Sequence, residues 1–389
     1  MKHYEVIVVG LGAMGSAALY QLSKRTTNIL GIDQFSPPHN MGSSSGETRI
    51  TRLANGEGEA YTPLVFRSNE IWKELEKETN ESLLVQNGGL ILATTDVKEN
   101  LFHGKPDFLG QTIAIAEKHN IKHDVLTIED LKKRFPQFNL VGTEAAYYEY
   151  EAGFLRPEKC IEVQLTLAQK QGAEINVEEK VLDVTPNGEG VIIKTSKGTY
   201  SANKVIVSPG PWIQNFVGEQ YKDIFKVYRQ VLYWWDIKNH DKSFLPENFP
   251  VFIWLFGKEG YYGFPAAHGV EQGVKIGFDY LETSTDPDRI NREVTEEETQ
   301  AAYKKYIDER FPGLTDTCLK SAACMITVTS DADFVIDTLP DHPQVIVASP
   351  CSGGGFKHSA AIGETLAEMA TQGSTTIPIE AFSLNRFKQ

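Results

Sequence analysis

The hydrophobic pattern opens with a short continuous run, "VIVVG", changes to helical spacing through "AMGSAALYQLSKR" and returns to a second apolar run, "NILGID". Continuous runs of this length suit strands buried on both faces, so residues 4–33 predict strand, glycine turn, helix and strand. Residues 34–52, "QFSPPHNMGSSSGETRITR", hold too many Pro, Gly and Ser residues for a regular element and read as a loop. Helical periodicity returns over 59–79 through Tyr61, Leu64, Val65, Ile71, Trp72 and Leu75, and "GGLILATT" then reads as a strand. A helical stretch over 107–120 and "TIEDLKKRFP" follow, and another helix begins after Pro157, with Cys160 near its start as a packing residue.

Strands at 180–184, 190–195 and 203–207 predict a hairpin and a return, the last ending in Gly210, as a strand does where backbone must come close to a bound nucleotide. From 226 to 280 the runs become aromatic-rich ("VYRQVLYWWDI", "FPVFIWLF", "GYYGFPA", "GVKIGFDY"), which suits an antiparallel sheet facing a pocket. A polar-faced helix in "TEEETQAAYKKYIDERFPG" separates these from a further β region starting at 320. The closing "QVIVASPCSGGGFKHSAAIGETLAEMA" repeats the opening logic of strand, glycine turn and helix, and offers a second helix N-terminus to a negatively charged group. The fold class is therefore α/β, with one unit made of 1–86, 146–222 and 320–389 and an inserted substrate unit made of 87–145 and 223–319.

Composition alters this picture little. The 389 residues, 41% hydrophobic and 23% charged, describe an ordinary globular protein, and a formal charge of −14 argues against a nucleic-acid or anionic-membrane partner. No apolar run reaches the ~18 residues of a membrane span, which makes the cytoplasm the expected location. Four cysteines, at 160, 318, 324 and 351, form no CxxC pair or metal-like spacing and fit a reducing compartment without a structural metal.

The first turn carries the clearest chemistry. Gly10, Gly12 and Gly15 have G-x-G-x-x-G spacing: the first permits the turn, the second admits a pyrophosphate, and the third lets the helix pack on the strand. Asp33 ends the second strand, 18 residues after Gly15, where a carboxylate can bind both hydroxyls of a ribose. Dinucleotide binding follows, with NAD and FAD both open on spacing alone; the interleaved order tilts the choice toward FAD. Spacing alone also leaves Cys324 as a small buried hydrophobe.

Taken in order, "VIVVGLGAMGSAA", "GETRITR", "YRQV", "YYGFP", "GVKIG", "CMITVTSDADFVID", "SGGGFKHSAAIGE" and "FSLNRF" resemble the monomeric sarcosine oxidase and N-methyltryptophan oxidase family of FAD-dependent amine oxidases, within the D-amino-acid-oxidase-like flavoproteins. The resemblance runs through nearly the whole chain. It implies a Rossmann-like, glutathione-reductase-type FAD domain interleaved with a mixed-sheet substrate domain, in a monomer. It also implies that Cys324 forms a thioether to the flavin, that Thr48 and Arg49 lie beside the flavin ring, and that Gly353, Gly355 and Lys357 belong to the second cofactor loop. Arg52 and Lys357 would hold the substrate carboxylate, Tyr262 would line the pocket, and Lys275 would activate oxygen.

Some positions depart from the family pattern. Asp279, Gly354 and Ser45 stand where the family carries histidines, which puts plain sarcosine specificity in doubt and makes Asp279 a further candidate catalytic residue. The expected reaction is oxidative demethylation of sarcosine or a bulkier N-methyl amino acid such as N-methyltryptophan, giving the amino acid, formaldehyde and H2O2, with O2 as the second substrate. Two alternatives stay open: an oxidase or dehydrogenase of another secondary amine such as pipecolate, and a flavin-binding protein without catalysis.

Overall fold

The strands predicted at the start, middle and end of the chain meet in one sheet. The computed structural model describes residues 1–95, 101–102, 105–257, 259–278, 281 and 283–388. Lys2–Val9 is central, parallel to Ile29–Ile32 on one side and to Thr199–Val207 on the other, and Glu174–Asn176 extends the sheet beyond Ile29–Ile32. Thr199–Val207 is shared: its first half pairs with the hairpin strand Gly190–Thr195, while Val205–Val207 pair with Val345–Val347 of the strand His342–Ser349. Ile29–Ile32 is buried throughout, which accounts for its unbroken apolar run.

The helix Ala13–Ser23 packs against both Pro157–Lys170 and Ser359–Gln372. Its crossing with the last of these is close because Gly363 faces Ala17. A Cβ on Gly363 would lie 2.4 Å from the Ala17 Cβ and 2.5 Å from its carbonyl carbon. Among the described residues, no helix is long and apolar enough to cross a membrane.

The second sheet has the order Leu314–Thr329, Phe225–Ile237, Val274–Phe278, Glu259–Phe264, Val251–Phe256, Gly89–Thr94, Glu144–Glu149, His123–Leu126. It is mixed, because Val251–Phe256 and Gly89–Thr94 run parallel while their neighbours run antiparallel. The boundaries expected at 145/146 and 319/320 need correction. Both fall inside strands of this sheet, since Glu144–Glu149 pairs with Gly89–Thr94, and Leu314–Thr329 pairs along its length with Phe225–Ile237. The polar-faced helix is also shorter than expected: it spans Glu296–Ala302 and widens into a π turn over Tyr303–Ile307.

Alternation along the strands divides the faces. Tyr233, Trp235, Val274 and Ile276 join an aromatic core with Trp254, Phe252 and Phe311, whereas Leu232 and Trp234 pack with Cys324 on the opposite face. Lys275, between Val274 and Ile276, shares that opposite face, which looks toward the first sheet.

Candidate functional site

A cavity of about 300 Å³ runs between the two sheets, lined at one end by Gly10, Gly12, Asp33 and His39 and at the other by Arg52, Tyr262 and Lys357. The glycine turn is as tight as its spacing requires. A Cβ on Gly15 would sit 1.7 Å from the Gly10 carbonyl oxygen, whereas one on Gly12 would meet only the Ser44 hydroxyl at 3.7 Å, leaving that side open to the cavity. Asp33 is buried, and its two oxygens accept from the Leu11 amide at 2.7 Å and the Phe35 amide at 2.8 Å. The carboxylate therefore ties the glycine turn to the loop after the second strand.

The segment carrying the two arginines forms the cavity's middle; the loop expected over 34–52 ends in a short strand, Arg49–Thr51, antiparallel to Gly153–Leu155, with Arg52 just beyond it. Arg49 donates to the carbonyls of Thr48 (2.8 Å), Ser43 (2.7 Å) and Ser45 (2.5 Å), which leaves its charge uncancelled by a carboxylate in these contacts. The buried Thr48 hydroxyl has no partner within the protein and lines the same cavity. Cys324 lies across from Gln230 in the strand pair and is also buried against the cavity. Burial pushes its thiol up, opposed by the positive charges of Arg49, Lys275, Arg292 and Arg229.

At the far end two buried cations bracket one carboxylate. Arg52 donates to both oxygens of Glu57, at 3.0 and 2.8 Å, and Lys357 Nζ lies 3.6 Å from the same carboxylate and donates to the Gly354 carbonyl at 3.0 Å. The second Arg52 branch donates to the Ala54 carbonyl, and the ring of Phe108 lies 5.0 Å from the guanidinium. Glu149 holds this turn from behind, accepting from the amides of Leu53 (2.6 Å) and Ala54 (3.1 Å) and from Tyr147 Oη (2.8 Å). Burial draws the Lys357 ammonium down to about 8.

Lys275 is buried, and its ammonium donates to the carbonyls of Gly46 (2.7 Å) and Thr48 (2.8 Å) with the Phe264 ring 3.9 Å away. Burial lowers its pKa well below the usual lysine value. Arg49 adds to the fall, while Glu47, Glu158 and Cys324 oppose it. Tyr262 lines the cavity and covers Gly277, where a Cβ would meet its ring at 2.5 Å. Gly353 adopts φ +85°, and a Cβ on Gly355 would lie 1.9 Å from the Pro350 carbonyl oxygen, so this second turn is as close-packed as the first.

The structure thus brings Gly10, Gly12, Asp33, Thr48, Arg49, Arg52, Tyr262, Cys324, Gly353, Gly355 and Lys357 to one cavity, with Gly15 packed behind it and Lys275 behind the arginine loop. Asp279 lies outside the described residues. Sequence reasoning missed Glu57, Glu149 and Glu158, because nothing in their spacing marks a carboxylate that turns inward, whether onto an arginine five residues earlier, as Glu57 does, or onto amides of a distant segment, as Glu149 and Glu158 do.

A family profile described as FAD dependent oxidoreductase matches residues 5–369. The chain belongs to this FAD-dependent oxidoreductase family. Monomeric sarcosine oxidase of Streptomyces avermitilis (strain ATCC 31267 and its synonyms) is 37% identical over 98% of this chain and 97% of its own length. N-methyl-L-tryptophan oxidase of Yersinia pestis (strain Pestoides F) is 33% identical over 99% of this chain and 100% of its own. The solved structure of NikD, an amino acid oxidase essential for nikkomycin biosynthesis, matches the oxidoreductase fold with a TM-score of 0.82 over 98% of both chains at 21% identity. L-proline dehydrogenase from P. horikoshii matches with a TM-score of 0.81 over 99% of this chain and 98% of that one at 23% identity.

The cavity of this oxidoreductase fits FAD. It joins a dinucleotide turn, an acid at the end of the second strand and a second glycine turn in one continuous space, and the partnerless Thr48 hydroxyl lies at its middle.

Proposed function

We propose that this protein is an FAD-dependent oxidase that demethylates an N-methyl amino acid, either sarcosine or a bulkier N-methyl-L-tryptophan-like substrate. It would work as a cytoplasmic monomer. The substrate C–N unit loses two electrons and two protons to give an imine, water hydrolyses the imine to the amino acid and formaldehyde, and O2 takes up the two electrons and two protons and leaves as H2O2. FAD, when bound, supplies the electron acceptor for the first step and the donor to O2 in the last. Gly10, Gly12, Gly15 and Asp33 would hold its nucleotide half, and Thr48, Arg49, Gly353 and Gly355 its flavin half, with Cys324 as the covalent tether. The names of the full-length relatives support the substrate class.

The observation that carries the reading is the buried Glu57 carboxylate between Arg52 and Lys357. Two cations already paired with one carboxylate make a site for another, and an amino acid entering from the cavity would take over the bidentate face of Arg52. The substrate carboxylate then anchors one end of the molecule and fixes the position of its N-methyl group. Ile50, Phe102, Ile253, Tyr262 and Phe264 make the surrounding wall largely apolar, which suits a substrate side chain larger than hydrogen. Gly354 widens the same end, since a Cβ there would lie 3.3 Å from both Glu57 Oε1 and Lys357 Nζ.

The test is anaerobic flavin bleaching across a panel of N-methyl amino acids and cyclic secondary amino acids, with formaldehyde and H2O2 measured on readmitting air. Bleaching by sarcosine or an apolar N-methyl amino acid, with both products formed, is expected. No bleaching by any N-methyl amino acid would overturn the substrate class.

A further inference from the structure

The tight loop that receives Lys275 is held from its other side by a carboxylate with no part in the reaction as described above. Gly46 and Glu47 adopt φ +103° and +72°, a pair of left-handed conformations that only Gly46 takes without strain. Their two consecutive amides converge on a single atom, Glu158 Oε1, at 2.7 and 3.1 Å. This is the geometry of a backbone anion nest, here filled by a side chain that lies 111 and 112 residues away in sequence. Glu158 sits in the first turn of the helix Pro157–Lys170, where the helix N-terminus favours a negative charge. With the amides turned toward Glu158, the carbonyls of Gly46 and Thr48 face the Lys275 ammonium.

We propose that Glu158 is the positioning residue for Lys275: it fixes the loop that accepts the lysine's hydrogen bonds and supplies the negative charge that balances its ammonium. This rests on the reading of Lys275 as the group that assists O2 reduction. Among the described residues, the groups with the largest electrostatic effect on the lysine come from three elements. Arg49 and Glu47 come from the loop, Glu158 from the helix behind it, and Cys324 from the strand Leu314–Thr329, while Trp234 and Phe264 present only rings. Glu47 is already engaged by Lys320 at 2.5 Å and by the Trp234 indole N–H at 3.0 Å, with His268 Nε2 at 4.0 Å. Glu158 has no such cation among its described ion pairs and hydrogen bonds, and its charge supports the Lys275 ammonium after that of Glu47 and ahead of the Cys324 thiol.

Two variants of the holoenzyme separate clamp from charge. In E158A, the peptide spanning residues 43–50 should exchange its amide hydrogens on the order of tenfold faster, because two amides lose their acceptor. E158Q keeps an acceptor oxygen but loses the charge. Its reaction with O2 after anaerobic reduction should therefore begin to slow at a pH about one unit lower than in the parent enzyme, with reduction by substrate unchanged. In a K275M background the E158Q change should have no further effect on the reaction with O2. Unchanged exchange in E158A, or an unmoved pH limit in E158Q while K275M is slow, overturns the proposal. If K275M itself reacts with O2 like the parent, the reading of Lys275 fails instead, and the exchange measurement still reports on the clamp.

Discussion

Burial draws the Lys357 ammonium down to about 8, with Glu57 opposing the fall and Arg52 adding to it. Below that pH the lysine is charged and can share the substrate carboxylate with Arg52; above it the lysine is neutral and only Arg52 remains. The sign is fixed: kcat/KM for an N-methyl amino acid should fall as pH rises through about 8, on the order of tenfold, which is the worth of one charge-assisted hydrogen bond. Because a bound carboxylate holds the proton on, kcat at saturating substrate should not show this fall. A Lys357→Met variant should lose the step and sit at the high-pH level throughout. A kcat/KM profile with no break near pH 8 in the parent contradicts the assignment. Little of this was legible residue by residue. Arg52 and Lys357 were found through resemblance, whereas Glu57, which sets the environment of both, sits in "GEGEAY" with no local signal that it turns inward.

At the level of elements, the glycine turn is where sequence and structure agree most closely, since each glycine answers a local steric demand. Gly15 faces the Gly10 carbonyl oxygen so closely that a Cβ would sit 1.7 Å away, and the nearest obstacle is backbone, which has no rotamer to change. A Gly15→Ala chain should therefore displace the first helix from the strand Lys2–Val9 and purify with little FAD, measured as the ratio of flavin to protein absorbance; full flavin content would refute this. Elements set by long-range pairing were harder to read. The first half of Leu314–Thr329, "LTDTCLKS", is largely exposed and polar, so no alternation announced a strand, and only its pairing with Phe225–Ile237 makes it one. The same holds for the edge strand His123–Leu126, which among the described residues pairs only with Glu144–Glu149.

Across the whole molecule, the cavity exists because two sheets face one another, so what fixes their spacing also fixes the site. The segment 284–293 is one such link. Asp288 accepts from the Trp212 indole N–H at 2.7 Å, and Arg292 donates to the Met41 carbonyl at 2.7 Å, the Asn40 carbonyl at 3.1 Å and, more weakly, the Ala323 carbonyl at 3.5 Å. Ala323 precedes Cys324, so a single guanidinium ties the loop that follows Asp33 to the strand bearing the proposed tether. None of these contacts is visible in the sequence, where Arg292 stands 31 residues from Ala323 and 251 from Met41. Thioether formation needs the thiolate held at a fixed position against the flavin, and Arg292 contributes both to the position and to the positive field that opposes the cost of burying that thiolate. Apoprotein of an Arg292→Ala variant incubated with FAD should therefore bind the flavin but link it severalfold more slowly, read as colour retained by protein precipitated and washed in acid. Arg292→Lys should fall between the two, keeping the charge but losing the forked contact to Asn40 and Met41, and a Cys324→Ala chain should give a colourless precipitate at every time point. If the Arg292→Ala protein retains colour as fast as the parent, the link between the sheets plays no part in placing Cys324, and the strand pairing with Gln230 is sufficient to hold it.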